Sequence, residues 1–271
     1  MLTRGLFLYN EPIMNLILFK KNEIGKILPF SDKRALHIKN ILKKDSPGDT
    51  FEAGIINTAL GRAELTEKTK EGWIWNFHKI SSAEELAKPH PAALLIGTPR
   101  PPVAKRILRD MSAIGLSRII FCATDLNEKS YLTSRLWRDE LWKDAVIDGA
   151  MQGKSIFLPE IHIAWTLNHG IEIIKQENTE SIFRIAFDNA EDCKKFNLKN
   201  SADIKNIKKK SLKENLKIVF AVGPERGWSD KERELFDKNG FTRFRLGERV
   251  LRSETACTFS AGLILNAFNF F

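Results

Sequence analysis

Residues 218–265 read IVFAVGPERGWSDKERELFDKNGFTRFRLGERVLRSETACTFSAGLIL and contain two glycine-bearing turns. The segment 218–222 is wholly apolar and mostly β-branched, which predicts a short strand covered on both faces. Residues 223–228, Gly-Pro-Glu-Arg-Gly-Trp, follow directly. Glycine and proline favour a sharp turn, and glycine lets main chain approach a ligand closely. The sequence therefore predicts a strand that ends in a turn able to contact a ligand.

A helix, a strand and a second turn come next. Ser229 followed by Glu232 is a capping-box pattern, which predicts a helix from Ser229 to about residues 239–240. Residues 241–246 alternate in polarity, as a strand does. Residues 247–252, Gly-Glu-Arg-Val-Leu-Arg, form the second turn, and Ser253 is expected to cap the helix that follows.

The two turns are predicted to lie side by side. In a parallel sheet the carboxyl ends of the strands meet at one edge, which is where open α/β sheets bind ligands. The charged residues in or directly after the turns include Glu225, Arg249, Arg252 and Glu254. The alternative is that both turns are only tight connections. Together, their charges favour a ligand site.

This pair of turns resembles the RsmE family of ribosomal RNA methyltransferases, part of the SPOUT superfamily. That family carries a Gly-Pro-Glu-Gly-Gly turn and, behind it, a Leu-Gly-x-Arg-Ile-Leu-Arg-Thr-Glu-Thr-Ala block. They correspond here to residues 223–227 and 246–256, and the resemblance extends from about Met14 to the C-terminus. Arg226 replaces a glycine of the family turn, and Ser253 stands where Thr is usual.

The resemblance implies an α/β fold in two domains. A C-terminal SPOUT α/β domain with a deep trefoil knot is expected over residues 92–271. A small PUA-like β-barrel domain, which helps to grip RNA, is expected before it over residues 14–82. Strands that alternate with helices after residue 92 independently predict a parallel sheet with helices on both faces. The knot follows from the resemblance alone, because knotted chains are rare exceptions.

The N-terminal part of the chain predicts short strands within NLILF, TFEAGII, GRAELTEKTK and GWIWNFHKI. Trp73, Trp75 and Phe77 share one face of the last strand. Such aromatic side chains either stack on bases or form the core of a small barrel, and the core is the favoured interpretation.

A basic helix is predicted over residues 32–44. In the family this place helps to bind RNA, so the resemblance gives that role to His37, Lys39 and Lys43. The alternative is a plain solvated helix face. Lys43 stands for a family Arg, which keeps the charge but loses the planar guanidinium.

The second part of the chain adds further elements. Residues 92–98 predict an apolar strand, and the helix after it places Val103 and Ile107 on one apolar stripe. Residues 131–151 predict one long helix. Residues 194–217 are rich in Lys and Asn, which favours a mobile, solvated insertion, with an RNA-contacting arm as the alternative.

The charge of the chain points to a polyanionic partner. Its 271 residues carry a net charge of +9, with a pI near 9.4. A nucleic acid is the leading candidate, and an ordinary basic surface is the alternative. The sequence has no Gly-x-Gly-x-x-Gly and no Walker loop, which counts against a Rossmann nucleotide site.

The cysteines and the hydropathy of the chain predict where in the cell the protein is located. Cys122, Cys193 and Cys257 are scattered and lack metal-ligand spacing, which predicts reduced thiols in a cytoplasmic protein and no metal site. Residues 10–12, Asn-Glu-Pro, interrupt any signal-peptide core, and no apolar run is long enough to span a membrane.

The resemblance implies S-adenosylmethionine as a methyl donor held by main chain of both turns. The acceptor it implies is N3 of a uridine in 16S rRNA near the decoding site, giving 3-methyluridine, either in free 16S rRNA or in the small ribosomal subunit. The implied cofactor-binding residues are Thr98, Val222, Gly223, Pro224, Glu225, Gly227, Leu246, Gly247, Val250, Leu251 and Arg252. The implied RNA-binding residues are His37, Lys39, Lys43 and Arg249.

The predicted chemistry concerns a proton. N3 of uracil is a poor nucleophile until its proton is removed or shared, so catalysis needs alignment with the methyl group and help with that proton. Arg252 is expected to hold the uracil oxygens and stabilise the anion. Glu254 or Glu225 is expected to accept the proton. The alternative is that both carboxylates only stabilise nearby helix starts.

A homodimer is also expected, because SPOUT proteins are dimers with the site at the junction. The small residues Ala256, Ser260 and Ala261 and the apolar tail 263–271 either form such a contact or pack within the chain.

Two other functions fit the same residues. One is a SPOUT methyltransferase that acts on another rRNA or tRNA position. The other is a non-catalytic PUA-type RNA-binding protein, which binding of S-adenosylmethionine would distinguish from an enzyme.

Overall fold

The computed structural model describes residues 16–176, 182–196 and 217–270. The chain divides into two compact units. The first unit runs through Leu86 and includes Lys154–Ile156. The second unit comprises Ala87–Gly153 and the residues from Phe157 onward.

The first unit is built on a sheet of five strands in the order β1-β3-β4-β5-β2. Strands β3, β4 and β5 are antiparallel neighbours, β2 pairs antiparallel with β5, and β1 pairs parallel with β3. The four predicted strands are confirmed, and β2 was not predicted. The bounds of the strands are Ile17–Phe19 for β1, Leu28–Pro29 for β2, Thr50–Ile55 for β3, Ala59–Lys68 for β4 and Gly72–Ser82 for β5.

The tryptophans of β5 belong to the core of this unit. Trp73 and Trp75 are only 3% and 1% exposed. The rings of Trp75 and Phe19 stack with their centroids 4.1 Å apart. Side chains buried in this way cannot stack on bases, so the core interpretation is confirmed for both tryptophans. Phe77 is half-buried.

The basic helix of the first unit, α1, spans Lys33–Asn40. Asp32 caps it by accepting a hydrogen bond from the main-chain N–H of Arg34 at 2.8 Å. The guanidinium of Arg34 also pairs with Glu23 at 2.7 Å, which fixes the start of the helix against the short 3₁₀ helix Lys21–Glu23. The helix is thus confirmed but ends earlier than predicted.

The second unit is an α/β fold around a parallel sheet of seven strands in the order β10-β12-β9-β11-β6-β7-β8. Every neighbouring pair is parallel, which confirms the predicted sheet. The strands are β6 His90–Gly97, β7 Leu116–Cys122, β8 Glu160–Ala164, β9 Ile182–Phe187, β10 Lys194–Lys195, β11 Lys217–Val222 and β12 Thr242–Arg245. The α-helices among the described residues of this unit are α2 Pro101–Ile114, α3 Arg135–Arg138, α4 Trp142–Gln152, α5 Leu167–Lys175, α6 Asp230–Lys238 and α7 Ser253–Ala267.

Helices cover both faces of this sheet. Side chains of β11 alternate between two buried clusters: Ile218 and Phe220 enter one, and Val219 and Ala221 enter the other. Residues of α2, α4 and α7 complete the first cluster, and residues of α5 and α6 complete the second. A strand buried on both faces must be apolar throughout, which is why this segment carries no alternation.

Two predictions about the second unit need correction. The single helix over residues 131–151 is wrong: α3 and α4 are separate, and Glu140 between them has a left-handed backbone with φ of 54°, which a right-handed helix cannot contain. Part of the predicted insertion is also structured, because β10 pairs with β12. Residues 197–216 of that insertion lie outside the described residues.

Within the ranges that the structure describes, no helix is both long enough and apolar enough to cross a lipid bilayer.

The packing of α4 on α2 yields a paired stability prediction. A methyl group at Gly149 would overlap the main-chain carbonyl of Arg109, whereas one at Gly262 in α7 would meet no atom within 4 Å. Gly149→Ala is therefore expected to lower the free energy of unfolding by about 1–3 kcal/mol. Gly262→Ala, the matched control in another helix, is expected to raise it by about 0.5–1 kcal/mol. Urea unfolding of both variants checks this, and equal shifts of the same sign would contradict it.

Candidate active site

A cavity of about 410 Å³ opens at the carboxyl edge of the parallel sheet in the second unit. This volume is within the roughly 300–1,000 Å³ of small-molecule sites. The cavity is lined by the ends of β9 and β11, both glycine-bearing turns, and the starts of α2 and α7: Arg100, Val103, Phe187, Asp188, Asn189, Val222, Gly223, Pro224, Glu225, Gly227, Trp228, Leu246, Arg249, Val250, Leu251, Arg252, Ser253, Glu254 and Ala256.

The structure confirms that the two turns meet. The strands before them, β11 and β12, are not neighbours, since β9 lies between them. Their parallel direction nevertheless brings both turns to one edge, where residues of each line the same cavity. The end of β9 contributes Asp188 and Asn189 to the gap between the turns.

Most of the residues predicted to bind the cofactor line this cavity; Thr98 and Gly247 are not among the lining residues. Thr98 is fully buried. Its hydroxyl donates a hydrogen bond to the carbonyl of Cys122 at 2.9 Å, and its own carbonyl accepts one from Asn127 at 3.1 Å. Thr98 therefore fixes the ends of β6 and β7 from behind the cavity wall.

Close packing explains the composition of the first turn. The N–H of Gly227 donates to the carbonyl of Pro224 at 2.9 Å, and Gly227 has a left-handed φ of 72°, which favours glycine. A Cβ at Gly97, the last residue of β6, would overlap Pro224. The proline of the turn thus packs directly on β6, where a larger residue has no room.

Trp228 anchors the end of this turn. It is 2% exposed, and its indole N–H donates to the carbonyl of Phe187 at 3.0 Å. Its ring meets that of Phe236 edge to face, with centroids 4.8 Å apart. Trp228 therefore ties the turn after β11 to the end of β9 and to α6.

Asp188, at the end of β9, is a lining residue that sequence reasoning missed. Its side chain is 3% exposed and accepts a hydrogen bond from Arg233 of α6 at 2.6 Å. Arg243 of β12 lies 3.9 Å away. The hydrogen bond that Arg233 donates to Asp188 raises the pKa of the Arg233 guanidinium. The available signal was an Asp-Asn pair directly after an apolar strand, at the edge where the two turns were already expected.

The capping box predicted for α6 is confirmed and also connects two loops. Glu232 accepts a hydrogen bond from the main-chain N–H of Ser229 at 2.8 Å. Its other carboxylate oxygen accepts from the N–H of Asp125, in the loop after β7, at 3.0 Å. Ser229 donates to Asp125 at 2.6 Å. Burial raises the pKa of Glu232 above its usual value.

Glu225 and Glu254, the predicted proton acceptors, are both held by arginines from the α2 region. Glu225 accepts the main-chain N–H of Arg100 at 3.2 Å, and the Arg100 guanidinium lies 3.9 Å away. Glu254 accepts from Arg106 at 2.9 Å. A hydrogen bond from its own main-chain N–H, and then the Arg106 guanidinium, hold the pKa of Glu254 below its usual value. Neither arginine was predicted.

The start of α7 differs from the prediction. Ser253 is the first helical residue and is 7% exposed, whereas Arg252 occupies the capping position without a side-chain cap. The expectation that Ser253 caps the helix is therefore wrong. Arg252 is exposed and lines the cavity, and its charge also lowers the pKa of Glu254.

The residues predicted to bind RNA fall into both units. Arg249 lines the cavity of the second unit and is exposed. His37 and Lys39 lie in α1 of the first unit, and Lys43 follows that helix with a left-handed φ of 57°. Lys39 pairs with Asp45 at 3.1 Å.

Among the described residues, no group of three His, Cys, Asp or Glu side chains could hold a metal ion. Cys122 and Cys257 are fully buried, and burial raises the pKa of both thiols well above its usual value. Such thiols are poor nucleophiles.

The parallel sheet, with a cavity between glycine-bearing turns at its carboxyl edge, defines an α/β fold with a small-molecule site at the usual edge of the sheet. Residues 87–265 match the family described as RNA methyltransferase domain. Two similar proteins are each named ribosomal RNA small subunit methyltransferase E. That of Borreliella burgdorferi is 36% identical over 93% of this chain and 97% of its own. The protein of Treponema pallidum is 35% identical over 94% of this chain and 92% of its own. The chain therefore belongs to the RsmE family.

Solved structures share the fold. The RsmE protein of Neisseria gonorrhoeae, bound to S-adenosyl methionine, superposes with a TM-score of 0.71 at 18% identity, covering 96% of this chain and 100% of that chain. A methyltransferase of Legionella pneumophila in complex with the same cofactor gives 0.69 at 16% identity, covering 94% and 98%.

The ion pair of Glu254 predicts its behaviour in methyl transfer. With its pKa held low, Glu254 is already ionised throughout the neutral range and adds no titration there. Glu254→Gln is expected to leave the shape of the pH–rate profile unchanged between about pH 6 and pH 9, with rates reduced by less than about tenfold. Initial rates of methyl incorporation into RNA check this, with Glu225→Gln as the comparison. Loss of an ascending limb in Glu254→Gln alone would contradict it.

Proposed function

We propose that this protein transfers the methyl group of S-adenosylmethionine to N3 of a uridine in 16S rRNA, forming 3-methyluridine near the decoding site. The observation that carries the proposal is the cavity walled by both family turns, residues 223–227 and 246–254. The acceptor is 16S rRNA itself or the small ribosomal subunit that contains it. A methyltransferase of this kind acts in the cytoplasm.

The cavity suits the cofactor in size and chemistry. Its volume of about 410 Å³ accommodates a nucleoside-sized molecule. The turn 223–227 offers main-chain N–H and C=O groups, and Val222, Leu246 and Leu251 offer apolar surface. When bound, the cofactor supplies an electrophilic methyl group on a sulfonium. The N. gonorrhoeae and L. pneumophila structures, which contain this cofactor, support the assignment.

The residues proposed to bind the cofactor are those that the family turns supply. Val222, Gly223, Pro224, Glu225, Gly227, Leu246, Val250, Leu251 and Arg252 act from the cavity lining. Gly247 belongs to the same second turn. Thr98 acts from behind the wall, through its hydrogen bonds to Cys122 and Asn127.

Arg252 is the proposed anion-stabilising residue. It is exposed at the cavity, where a fixed guanidinium can hold the uracil oxygens as N3 loses its proton. Of the two carboxylates, Glu225 is the better proton acceptor. Its Arg100 contact is 3.9 Å, whereas Glu254 is paired with Arg106 at 2.9 Å. Through its ion pair with Arg106, Glu254 instead orients the start of α7.

We extend the proposal to domain roles. Residues 14–82 act as a PUA-like β-barrel that binds RNA through His37, Lys39 and Lys43. Residues 92–271 form a SPOUT domain in which the C-terminal part is tied in a trefoil knot. Support comes from the separate five-stranded and seven-stranded sheets and from the position of β11 in the middle of the second sheet.

We also propose a homodimer. Ala256, Ser260 and Ala261 pack inside the second unit, so they are not the contact. The support is the family resemblance, and Phe259 of α7, which is 48% exposed, is the residue offered for the contact. Light scattering would give twice the chain mass, and the mass of one chain would contradict the dimer.

The decisive test is incubation of the protein and labelled S-adenosylmethionine with small ribosomal subunits that lack the modification. Label is expected in the RNA, and nucleoside analysis is expected to return 3-methyluridine. Label in another nucleoside would mean a different position or base. Absence of both label and S-adenosylmethionine binding by calorimetry would contradict the enzyme itself.

Arg252 offers a sharper test of the chemistry. Arg252→Met is expected to lower the rate of the methyl-transfer step by about 10²–10³-fold, because one preorganised donor to the developing anion is lost. Arg252→Lys keeps the charge without the planar guanidinium, so its rate is expected to lie between those of the wild type and of Arg252→Met. Single-turnover kinetics measures both. Wild-type rates in Arg252→Met would remove Arg252 from the mechanism.

A further inference from the structure

Two of the three carboxylates that line the cavity are closely paired with arginines. Asp188 is paired with Arg233 at 2.6 Å. Glu254 is paired with Arg106 at 2.9 Å, and Glu225 lies beside Arg100. Asp188 and Glu254 are thus each paired with an arginine at hydrogen-bond distance, whereas the contact between Glu225 and Arg100 is looser.

Three other arginines of the two turns have no such partner. Arg226, Arg249 and Arg252 are exposed. In the part of the chain that the structure describes, none of them has a carboxylate oxygen within 4.0 Å. Elsewhere Arg34 and Arg243 are paired at 2.7 Å and 2.6 Å. Unpaired like charges repel one another, so a cluster of this kind favours an anionic partner.

Arg226 holds a particular place in this cluster. It occupies a corner of the turn closed by the hydrogen bond from Gly227 to Pro224, and it is not among the residues with a left-handed backbone. An arginine therefore fits there without strain. Its neighbours Glu225 and Gly227 line the cavity, whereas Arg226 itself does not. The side chain stands at the rim, exposed to solvent.

We infer that Arg226 is an RNA-binding residue that contacts a phosphate of the strand next to the target nucleotide. The inference rests on the proposed function, since it assumes that RNA approaches this cavity. A guanidinium suits a phosphate because it donates two parallel hydrogen bonds. The contact carries no base information: it adds affinity and fixes position.

The test measures binding of unmodified, transcribed 16S rRNA by filter retention over a salt series from about 50 to about 200 mM. Arg226→Gln is expected to weaken binding by roughly three- to tenfold at low salt and to reduce the log–log salt slope by about 0.7. Arg226→Lys is expected to recover most of the lost affinity and most of the salt slope. Arg226→Gly, which restores the family residue, is expected to match Arg226→Gln. The melting temperatures of Arg226→Gln and Arg226→Lys are expected to equal that of the wild type, whereas Arg226→Gly gains unfolded-chain entropy and is expected to melt slightly lower.

Lys175→Gln is the matched control. It removes the same charge from an exposed residue in the last turn of α5, which returns to the amino edge of the sheet, away from the cavity. Unchanged affinity in Arg226→Gln, or equal weakening in Lys175→Gln, would overturn the inference. Lower melting temperature with no rescue by Arg226→Lys would overturn it as well. Failure of methyl transfer by the wild type would contradict the proposed function alone, because RNA affinity is measured without it.

Discussion

The functional edge of the second unit depends on two adjacent residues at the start of α6. Glu232 binds the main chain of Ser229 and of Asp125, which joins the turn after β11 to the loop after β7. Arg233 binds Asp188, which joins α6 to the end of β9. Loops at a sheet edge have few apolar contacts of their own and otherwise move. These charge-assisted hydrogen bonds give the cavity wall a fixed shape.

Paired and unpaired charges also determine the electrostatics of the cavity. Two carboxylates near it are paired with arginines from other elements, Asp188 with Arg233 and Glu254 with Arg106. The arginines left over are those of the turns themselves. A site arranged in this way attracts polyanions and stabilises negative charge as it develops.

Local signals predicted the elements well where one residue pair or run decides them. The capping box of Ser229 and Glu232 gave the start of α6, and the apolar run 218–222 gave a strand buried on both faces. Prediction failed at Glu140, where a single left-handed residue divides a helical pattern. It also failed at Ser253, which suits a cap by type but lies one residue inside the helix. Neither the break at Glu140 nor the position of Ser253 inside the helix changes the periodicity of the side chains, so the sequence pattern could not predict them.

The sequence by itself determined the family, the parallel α/β architecture and the two turns, because these rest on local backbone preferences and on a motif contiguous along the chain. Only the tertiary structure decided which side chains meet. Arg100 and Glu225 lie far apart in sequence but in contact in the fold, and Asp188 enters the cavity because β9 separates β11 from β12. Pairings of this kind depend on strand order and on the packing of distant elements, and no short-range pattern encodes either.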